Sequence, residues 1–297
     1  MSLAGRTILV TGGTSGTGLA VATAAHRQGA HVVVGSRSEA SYAAAAARIG
    51  NEGVSPFIAD LADPDSLEEA FDSLELSLHH PTDVVHAAAG GLEPILRPLL
   101  RATARVKRAE PGGERDAVLK HERDEIEKLV REGSRSAFAV NDEGPRWLLE
   151  HLVPRLPDGG RVITYSSLWT EGVRRGECPA FYWSIAESKL RFEDWLAGAA
   201  HAWGERIRSA VIIGHLISDT AMGRLIDRNL LPLMPPEVAG PFQAGYVTIE
   251  QTAAATIGLM SGELEPGELR RYYLIGSEKL TTTADPELMA VVGRMPL

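Results

Sequence analysis

Short apolar runs alternate with amphipathic, often alanine-rich stretches along the first half of the chain. Each run is rich in valine, isoleucine or leucine and ends in a glycine or polar turn, which is typical of a strand buried on both faces. Strands that alternate with helices predict an α/β fold, a doubly wound and mainly parallel sheet with helices on both faces, here one domain over residues 1–297. The predicted strands are residues 7–10, 30–35, 55–59, 83–86, 161–167, 209–213 and 271–275.

The first apolar run ends in a turn that is rich in glycine. Gly12, Gly16 and Gly18 follow one another before an alanine-rich helical stretch. A side chain at these positions would obstruct the turn or keep a phosphate away from the backbone. The free N–H groups and the positive end of the following helix would then bind a pyrophosphate. The predicted contacts are Gly12, Thr14, Ser15, Gly16, Thr17 and Gly18.

The second strand lies at the distance that a βαβ unit requires, which favours a dinucleotide site of the Rossmann type. It ends in Ser36 and Arg37, with no acidic residue to accept a hydrogen bond from a free ribose 2′-hydroxyl. A guanidinium and a hydroxyl suit a 2′-phosphate instead. The sequence therefore favours NADP(H) over NAD(H), although Arg37 would also fit a solvated loop position.

Composition narrows the class of protein without identifying a substrate. The chain has 39 acidic and 30 basic residues and no basic stripe, which argues against a nucleic-acid partner. No apolar run is long enough to span a membrane, no signal peptide precedes the first strand, and the single cysteine, Cys178, has no internal partner. The nine histidines lack the spacing of metal ligands. We expect a cytoplasmic protein without a metal site or membrane association.

The order of these motifs resembles the short-chain dehydrogenase/reductase (SDR) family, and the resemblance covers most of the chain. The segment from Thr11 to Gly18 is similar to the TGxxxGxG loop of that family. Residues 87–90, Ala-Ala-Ala-Gly, resemble its NNAG turn, although both asparagines are missing. The resemblance implies that Asp60 and Leu61 contact the adenine of the cofactor. It also implies cofactor contacts from Ala88, Ala89 and Gly90, which follow the fourth strand.

The predicted catalytic residues lie around the fifth strand. Ser167 ends that strand, where a hydroxyl can polarise a substrate carbonyl, with Ser166 as the alternative. The resemblance implies a tyrosine and a lysine downstream, here Tyr182 and Lys189. A lysine cation binds the nicotinamide ribose and favours ionisation of a nearby phenol. Asn141 lies where the family's asparagine keeps a water in line with the lysine; a residue that bends its helix through a local backbone bond is the alternative.

The spacing of the tyrosine and the lysine departs from the common family pattern. Six residues separate Tyr182 from Lys189, and Ile185 occupies the position where the tyrosine is usual. The wider spacing is similar to that of enoyl-acyl-carrier-protein reductases in the same superfamily. Positions i and i+7 of a helix are about 10.5 Å apart along its axis. Tyr182 can therefore act beside Lys189 only if it lies just before the helix or reaches along it; a core or rim aromatic is the alternative.

Segments after the fifth strand are expected to meet the nicotinamide and the substrate. The resemblance implies nicotinamide contacts from Gly214, Leu216 and Ser218. Residues 221–245 are predicted to form a mobile substrate-binding flap or, alternatively, a plain connecting helix and loop. In the predicted loop 168–180, Trp169, Arg174 and Arg175 are candidate contacts to an acidic or phosphopantetheine-linked substrate, with surface placement as the alternative.

The segment of residues 92–135 is longer than the one that family members usually have between the fourth strand and the next helix. The segment is dense in charge, and after a Pro-Gly-Gly break at residues 111–113 its apolar residues recur at helical spacing. This pattern predicts an inserted helical hairpin. The simpler interpretation is a solvated surface hairpin; the sharper one is a lid or subunit contact, because the segment leaves the sheet at its active-site end.

Together these features predict an NADPH-dependent reductase that transfers hydride to a carbonyl or to a conjugated (enoyl) double bond of a small, acyl-carrier-linked or coenzyme A-linked substrate. The wide spacing favours the enoyl substrate, whereas Ser167 with Asn141 favours the carbonyl. The missing asparagines and Ile185 motivate one alternative, a catalytically degenerate NADP(H)-binding protein. A redox-neutral lyase or cyclase is a further alternative. The resemblance also implies a homodimer or homotetramer.

Overall fold

The computed structural model describes residues 2–277, 279–292, 294–295 and 297, and its strands form one sheet. The strands are β1 (Thr7–Thr11), β2 (His31–Ser36), β3 (Val54–Ile58), β4 (Asp83–His86), β5 (Gly160–Ser167), β6 (Ile207–Gly214), β7 (Leu269–Leu274) and β8 (Leu280–Thr281). Their spatial order is β3-β2-β1-β4-β5-β6-β7-β8. The first seven in that order are parallel, and β8 pairs antiparallel with β7. The predicted α/β class is therefore confirmed.

Helices cover both faces of the sheet, which explains why its central strands are continuously apolar. Val32, Val33 and Val34 of β2, for example, are all fully buried. The helices are α1 (Gly16–Arg27), α2 (Glu39–Ile49), α3 (Pro64–Glu75), α4 (Glu93–Arg108), α5 (Gly113–Phe138), α6 (Gly144–Leu152), α7 (Trp169–Arg175), α8 (Trp183–Trp203), α9 (Ala221–Asn229), α10 (Pro236–Ala244), α11 (Ile249–Ser261) and α12 (Pro286–Val291). Apolar side chains of α1, α2 and α11 pack on one face, and those of α3, α6 and α8 pack on the other.

A third apolar cluster gathers the helices that do not simply cover a face of the sheet. It combines residues of α4, α5, α9, α10 and α12, among them Ile95, Ile126, Phe242 and Leu288, with Phe181, which lies just before α8. The inserted hairpin of residues 92–135 packs its apolar residues into this cluster, while most of its other residues stay exposed. Its role as a lid or subunit contact stays a prediction.

The structure differs from the expected elements in three places. A short eighth strand, β8, follows the seven that were predicted, because the chain reverses after β7 and pairs with its exposed edge. Part of the predicted loop 168–180 is helical, as α7. Residues 221–245 contain two helices, α9 and α10, whose apolar residues join the third cluster. Whether this segment moves as a flap stays a prediction.

Candidate active site

One cavity lies at the carboxyl ends of the parallel strands, where doubly wound sheets bind their ligands. It encloses about 630 Å³, a volume typical of a cofactor or small-molecule pocket. Sixteen of the predicted cofactor contacts line it: Gly12, Thr14, Ser15, Gly16, Thr17, Gly18, Ser36, Arg37, Asp60, Leu61, Ala88, Ala89, Gly90, Lys189, Gly214 and Leu216. These residues come from six separate parts of the sequence, and the strand order brings them to one edge of the sheet.

The glycine turn between β1 and α1 forms one end of the cavity. A Cβ on Gly12 would lie 2.9 Å from the Cα of Ala88, and one on Gly18 would lie 2.2 Å from the carbonyl oxygen of Gly12. On Gly16, by contrast, a Cβ would meet no atom within 4 Å. Ser15 precedes α1 without a side-chain hydrogen bond to the helix amides. The first N–H groups of α1 therefore remain available to an anion, and the turn fits the pyrophosphate of a dinucleotide.

The end of β2 places one cation on the rim of the cavity. Arg37 is exposed and has no ion-pair partner in the part of the chain that the structure describes. The hydroxyl of Ser36, in contrast, is already hydrogen-bonded within a tight turn. It donates to the carbonyl oxygen of Ser38 at 2.8 Å and accepts from the Ser38 N–H at 3.2 Å. Of the two residues predicted to meet a 2′-phosphate, Arg37 is thus the one whose polar group is unengaged.

Asn141 supports the cavity without lining it. It lies in a π-helical turn, Ala139–Glu143, between α5 and α6. Its Oδ1 accepts from the N–H of Gly90 at 3.1 Å, and its Nδ2 donates to the carbonyl oxygen of Gly90 and to Ser188 Oγ, both at 3.1 Å. The hydrogen bonds of this side chain therefore join residues that are far apart in the sequence, and none is a local bond to its own helix. They join the Ala-Ala-Ala-Gly turn after β4 to α8, the helix that carries Lys189.

His86 is a buried residue of the site that sequence reasoning missed. It ends β4, is 4% exposed, and its Nδ1 lies 2.8 Å from Thr11 Oγ1. Burial, with the charge of Lys189 as a second cause, lowers the pKa of His86 to about 3, so the imidazole is neutral at physiological pH. Thr11 Oγ1 also accepts from the N–H of Ala88 at 3.4 Å. The signal in the sequence was a histidine inside an otherwise apolar strand.

The two serines at the end of β5 point to different partners. Ser166 Oγ donates to the carboxylate of Glu193 in the core. Ser167 lines the cavity, its Oγ accepts from the N–H of Trp169 at 3.3 Å, and its hydroxyl lowers the pKa of the Tyr182 phenol. Both serines line the cavity, but the hydroxyl of Ser166 is already engaged by the carboxylate of Glu193. This arrangement favours Ser167 over Ser166 as the hydroxyl that meets a substrate.

Tyr182 lies immediately before α8, at the end of a 3₁₀ turn, Ala180–Tyr182. It lines the same cavity as Lys189, and Ile185 is buried in the third apolar cluster. The ring centroid of Trp169 is 4.4 Å from that of Tyr182. Burial raises the pKa of the Tyr182 phenol above its ordinary value, the Cys178 thiol adds to this, and the Ser167 hydroxyl opposes it. The phenol is therefore protonated at neutral pH and can donate a proton.

Lys189 lies on α8 and presents its amine to the cavity from a nearly buried position. It is 9% exposed. Burial lowers the pKa of its ammonium to about 8, and the nearby carboxylate of Glu193 opposes that shift. A cation whose pKa lies this close to neutrality changes its charge with small changes in its surroundings.

The end of β6 contributes a further border of the cavity. Gly214 and Leu216 line it as predicted, together with His215 and Thr220, which were not predicted. Ser218 does not belong to the lining; its hydroxyl donates to the carbonyl oxygen of Val247 at 3.2 Å. Its predicted contact with the cofactor stays a prediction. Thr220 caps α9 by accepting from the N–H of Gly223, and a cap signal of this kind could have indicated it.

Two arginines that were candidate substrate contacts do not line the cavity. Arg174 pairs with Asp194 at 2.8 Å, and Arg175 donates to the carbonyl oxygen of Met289 at 3.0 Å.

Burial raises the pKa of the Cys178 thiol to about 12, so it is not an activated nucleophile. Within the described ranges, no group of three or more metal-ligating side chains is found, and no helix is long and apolar enough to cross a membrane.

Comparison with known proteins identifies a match over most of the chain. The model of the short chain dehydrogenase family matches residues 6–229. An oxidoreductase of Caenorhabditis elegans is 36% identical over 235 residues, which are 77% of this chain and 65% of that protein. The chain thus spans just under two thirds of the length of this curated relative.

Solved structures share the fold at low sequence identity. A short-chain type dehydrogenase/reductase from Mycobacterium ulcerans aligns with a TM-score of 0.67 and 19% identity over 94% of this chain and 91% of its own. A short chain dehydrogenase from Shigella flexneri 2a, complexed with NADP, aligns with a TM-score of 0.64 and 20% identity over 91% and 97%. At these identities the likeness concerns the fold alone.

Proposed function

Because this chain belongs to the short-chain dehydrogenase/reductase family, whose members are oxidoreductases, we propose that it is an NADPH-dependent reductase of carbonyl groups. One observation carries the proposal. Tyr182, Ser167 and Lys189 line the same cavity. Two hydroxyls in one cavity provide the donors that a carbonyl oxygen needs as it gains negative charge.

The residues present fit a bound NADPH from end to end. The glycine turn would hold the pyrophosphate, Asp60 and Leu61 the adenine, and Arg37 the 2′-phosphate. Lys189, Gly214 and Leu216 lie at the other end of the cavity, where they would hold the nicotinamide ribose and ring. Bound NADPH supplies the hydride for the reduction, and the protein supplies the proton and the electrostatic environment.

The side chains divide the remaining chemistry among them. Tyr182 donates its proton to the carbonyl oxygen as the new carbon–hydrogen bond forms, so that an alcohol and a phenolate result. Ser167 donates a hydrogen bond to the same oxygen and orients it. The Lys189 ammonium stabilises the phenolate. Asn141 is a positioning residue, since it holds the turn at Gly90 against α8.

A small, uncharged substrate fits the lining better than an acidic or carrier-linked one. Trp169, Leu216 and Met222 contribute apolar surface near Tyr182. The arginines that might have met a phosphopantetheine, Arg174 and Arg175, are engaged with protein groups elsewhere. An apolar ketone or aldehyde is therefore the proposed substrate. A homodimer or homotetramer and a cytoplasmic location stay predictions; light scattering measures the first.

The test is a panel of substrates assayed with NADPH. Apolar ketones and aldehydes are compared with the matching conjugated enones and with a coenzyme A thioester of an enone. We expect oxidation of NADPH with the ketones and aldehydes. Turnover of the enone thioester alone would favour the enoyl reductase instead. Binding of NADPH without oxidation by any compound would favour the degenerate binding protein, and product formation without net oxidation would favour a lyase or cyclase.

The Tyr182→Phe variant tests the assigned proton donor. Loss of a general acid lowers kcat by about 100-fold or more, because these groups contribute about 10²–10⁴ to rates. Binding of NADPH, followed by the fluorescence of the reduced cofactor, should change little. Trp203→Phe, at the far end of α8, is the matched aromatic control. If Tyr182→Phe retained the kcat of the unmodified protein, the assignment of the acid would be lost.

A further inference from the structure

A row of charges extends outward from Lys189, and the proposed reaction does not use it. Glu193 lies one turn after Lys189 on α8 and is 2% exposed. One of its carboxylate oxygens accepts from Ser166 Oγ, and the other pairs with a guanidinium nitrogen of Arg271 on β7 at 2.9 Å. A second nitrogen of Arg271 pairs with Glu171 of α7 at 2.6 Å. The charges therefore alternate in sign from the cavity outward.

Helical geometry places Glu193 on the same face of α8 as Lys189. Residues four apart lie on one face of a helix, and each side chain leans towards the helix N-terminus. Glu193 follows Lys189 by four residues and so leans in its direction. A buried carboxylate is costly unless it is paired and hydrogen-bonded. Here Arg271 pairs with one oxygen of Glu193 and Ser166 donates to the other, and both interactions favour the ionised carboxylate.

We propose that Glu193 is a positioning residue that maintains Lys189 as a cation inside the nearly closed site, and that Arg271 maintains Glu193 as an anion. This inference rests on the proposed function for the role of Lys189, but the charge relation itself belongs to the protein alone. Without Glu193, burial favours the neutral amine, which can neither stabilise a phenolate nor donate three hydrogen bonds.

The titratable and charged groups that act on this pair come from α7, β7 and β4. Burial raises the pKa of Glu193, and the opposing causes are, in order, Arg271, the hydrogen bond from Ser166, and Arg174. Glu171 acts in the same direction as burial. On the β4 side His86 faces Lys189, and burial lowers the pKa of that imidazole to about 3 so that it carries no charge. Among these groups, Glu193 is the carboxylate placed to stabilise the Lys189 cation.

A direct test follows the titration of Lys189 in the protein without cofactor. The chain has five lysines, so the Cε signals of ¹³C-lysine-labelled protein can be resolved by NMR and that of Lys189 assigned with Lys189→Met. We expect a midpoint near pH 8 in the unmodified protein. In Glu193→Gln we expect it about one pH unit lower, because an opposite charge nearby shifts a pKa by about 1–3 units.

The matched control is Asp194→Asn, which removes an exposed carboxylate from the next position of α8. We expect this variant to leave the Lys189 midpoint unchanged. If Glu193 served only to link α8 to β7, Glu193→Gln would lower the free energy of unfolding without moving that midpoint. An unchanged midpoint in folded Glu193→Gln therefore overturns the proposal. Should that variant not fold, Arg271→Gln is titrated in its place; a lower midpoint supports the proposal and an unchanged one overturns it.

The pH dependence of activity carries the second readout. Lys189 acts as a cation, so activity is present below its pKa and is lost as pH rises through it. In Glu193→Gln the falling limb should move to lower pH by the same interval as the NMR midpoint. If Lys189→Met reduced ketones at the rate of the unmodified protein, the proposed role of Lys189 in the reaction would be wrong. The effect of Glu193 on the Lys189 midpoint would still be decided by the NMR titration alone.

Discussion

The two ends of the cavity are built in different ways. At the nucleotide end, the glycine turn, the first amides of α1 and the turn after β4 present mainly backbone to the ligand. At the substrate end, side chains from α7, α8 and the segment after β6 meet, and the third apolar cluster holds them in place. Backbone sites tolerate little change in geometry, whereas side-chain sites can change specificity by substitution without loss of the fold.

Trp169 shows how far the substrate end depends on distant parts of the chain. Its Nε1 donates to the carbonyl oxygen of Val292 at 2.7 Å, and its ring packs against Tyr182. A residue near the end of the sequence thus helps to place a ring beside the proposed catalytic phenol.

The largest effect is expected from Gly18→Ala at the nucleotide end. The added Cβ would lie 2.2 Å from the carbonyl oxygen of Gly12, so the turn or the start of α1 must shift. We expect NADPH binding to weaken beyond detection at concentrations that saturate the unmodified protein, as measured by cofactor fluorescence. Gly240→Ala in α10, where a Cβ meets no atom within 4 Å, is the control and should bind normally. Normal binding by Gly18→Ala would contradict the close packing of this turn.

An intermediate effect is expected from Arg37→Ala on the rim of the nucleotide end. A hydrogen bond to a charged group contributes about 1.5–3 kcal/mol, so NADPH binding should weaken by about 10- to 100-fold. NADH binding should change little, because NADH lacks the 2′-phosphate. Titration calorimetry with both cofactors measures the dissociation constants of NADPH and NADH, and thus the ratio between them. Arg48→Ala, at the opposite end of α2, removes the same charge; an equal loss in both variants would show that Arg37 does not contact the phosphate.

The smallest effect is expected at the substrate end, from Trp169→Phe. The change removes the hydrogen bond to Val292 and keeps an aromatic ring in the cavity wall. A hydrogen bond of about 1 kcal/mol corresponds to a factor of about five, which we expect as a rise in KM for the ketone. The dissociation constant of NADPH should stay the same. A larger change in NADPH binding than in KM would contradict the division of the cavity into two ends.

Particular residues show where sequence reasoning succeeded and where it could not decide. The glycine turn was recognisable because local order along the chain sets its geometry, whereas the contact of Arg37 with a 2′-phosphate stays a prediction. The choice between Ser166 and Ser167 was not decidable, because both line the cavity and only packing shows that the hydroxyl of Ser166 is engaged by Glu193. Glu193 was missed, although an acidic residue four positions after a candidate lysine, on an apolar helix face, was a usable signal.

The sequence by itself determined the alternation of strands and helices, the doubly wound sheet and the nucleotide end of the cavity, because short-range periodicity and glycine conformations encode them. Tertiary structure alone decided that Tyr182 lines the same cavity as Ser167, that Asn141 binds the turn at Gly90, and that Arg271 reaches Glu193. Each of these contacts joins residues that are far apart in the chain, and their distances depend on how the helices pack on the sheet.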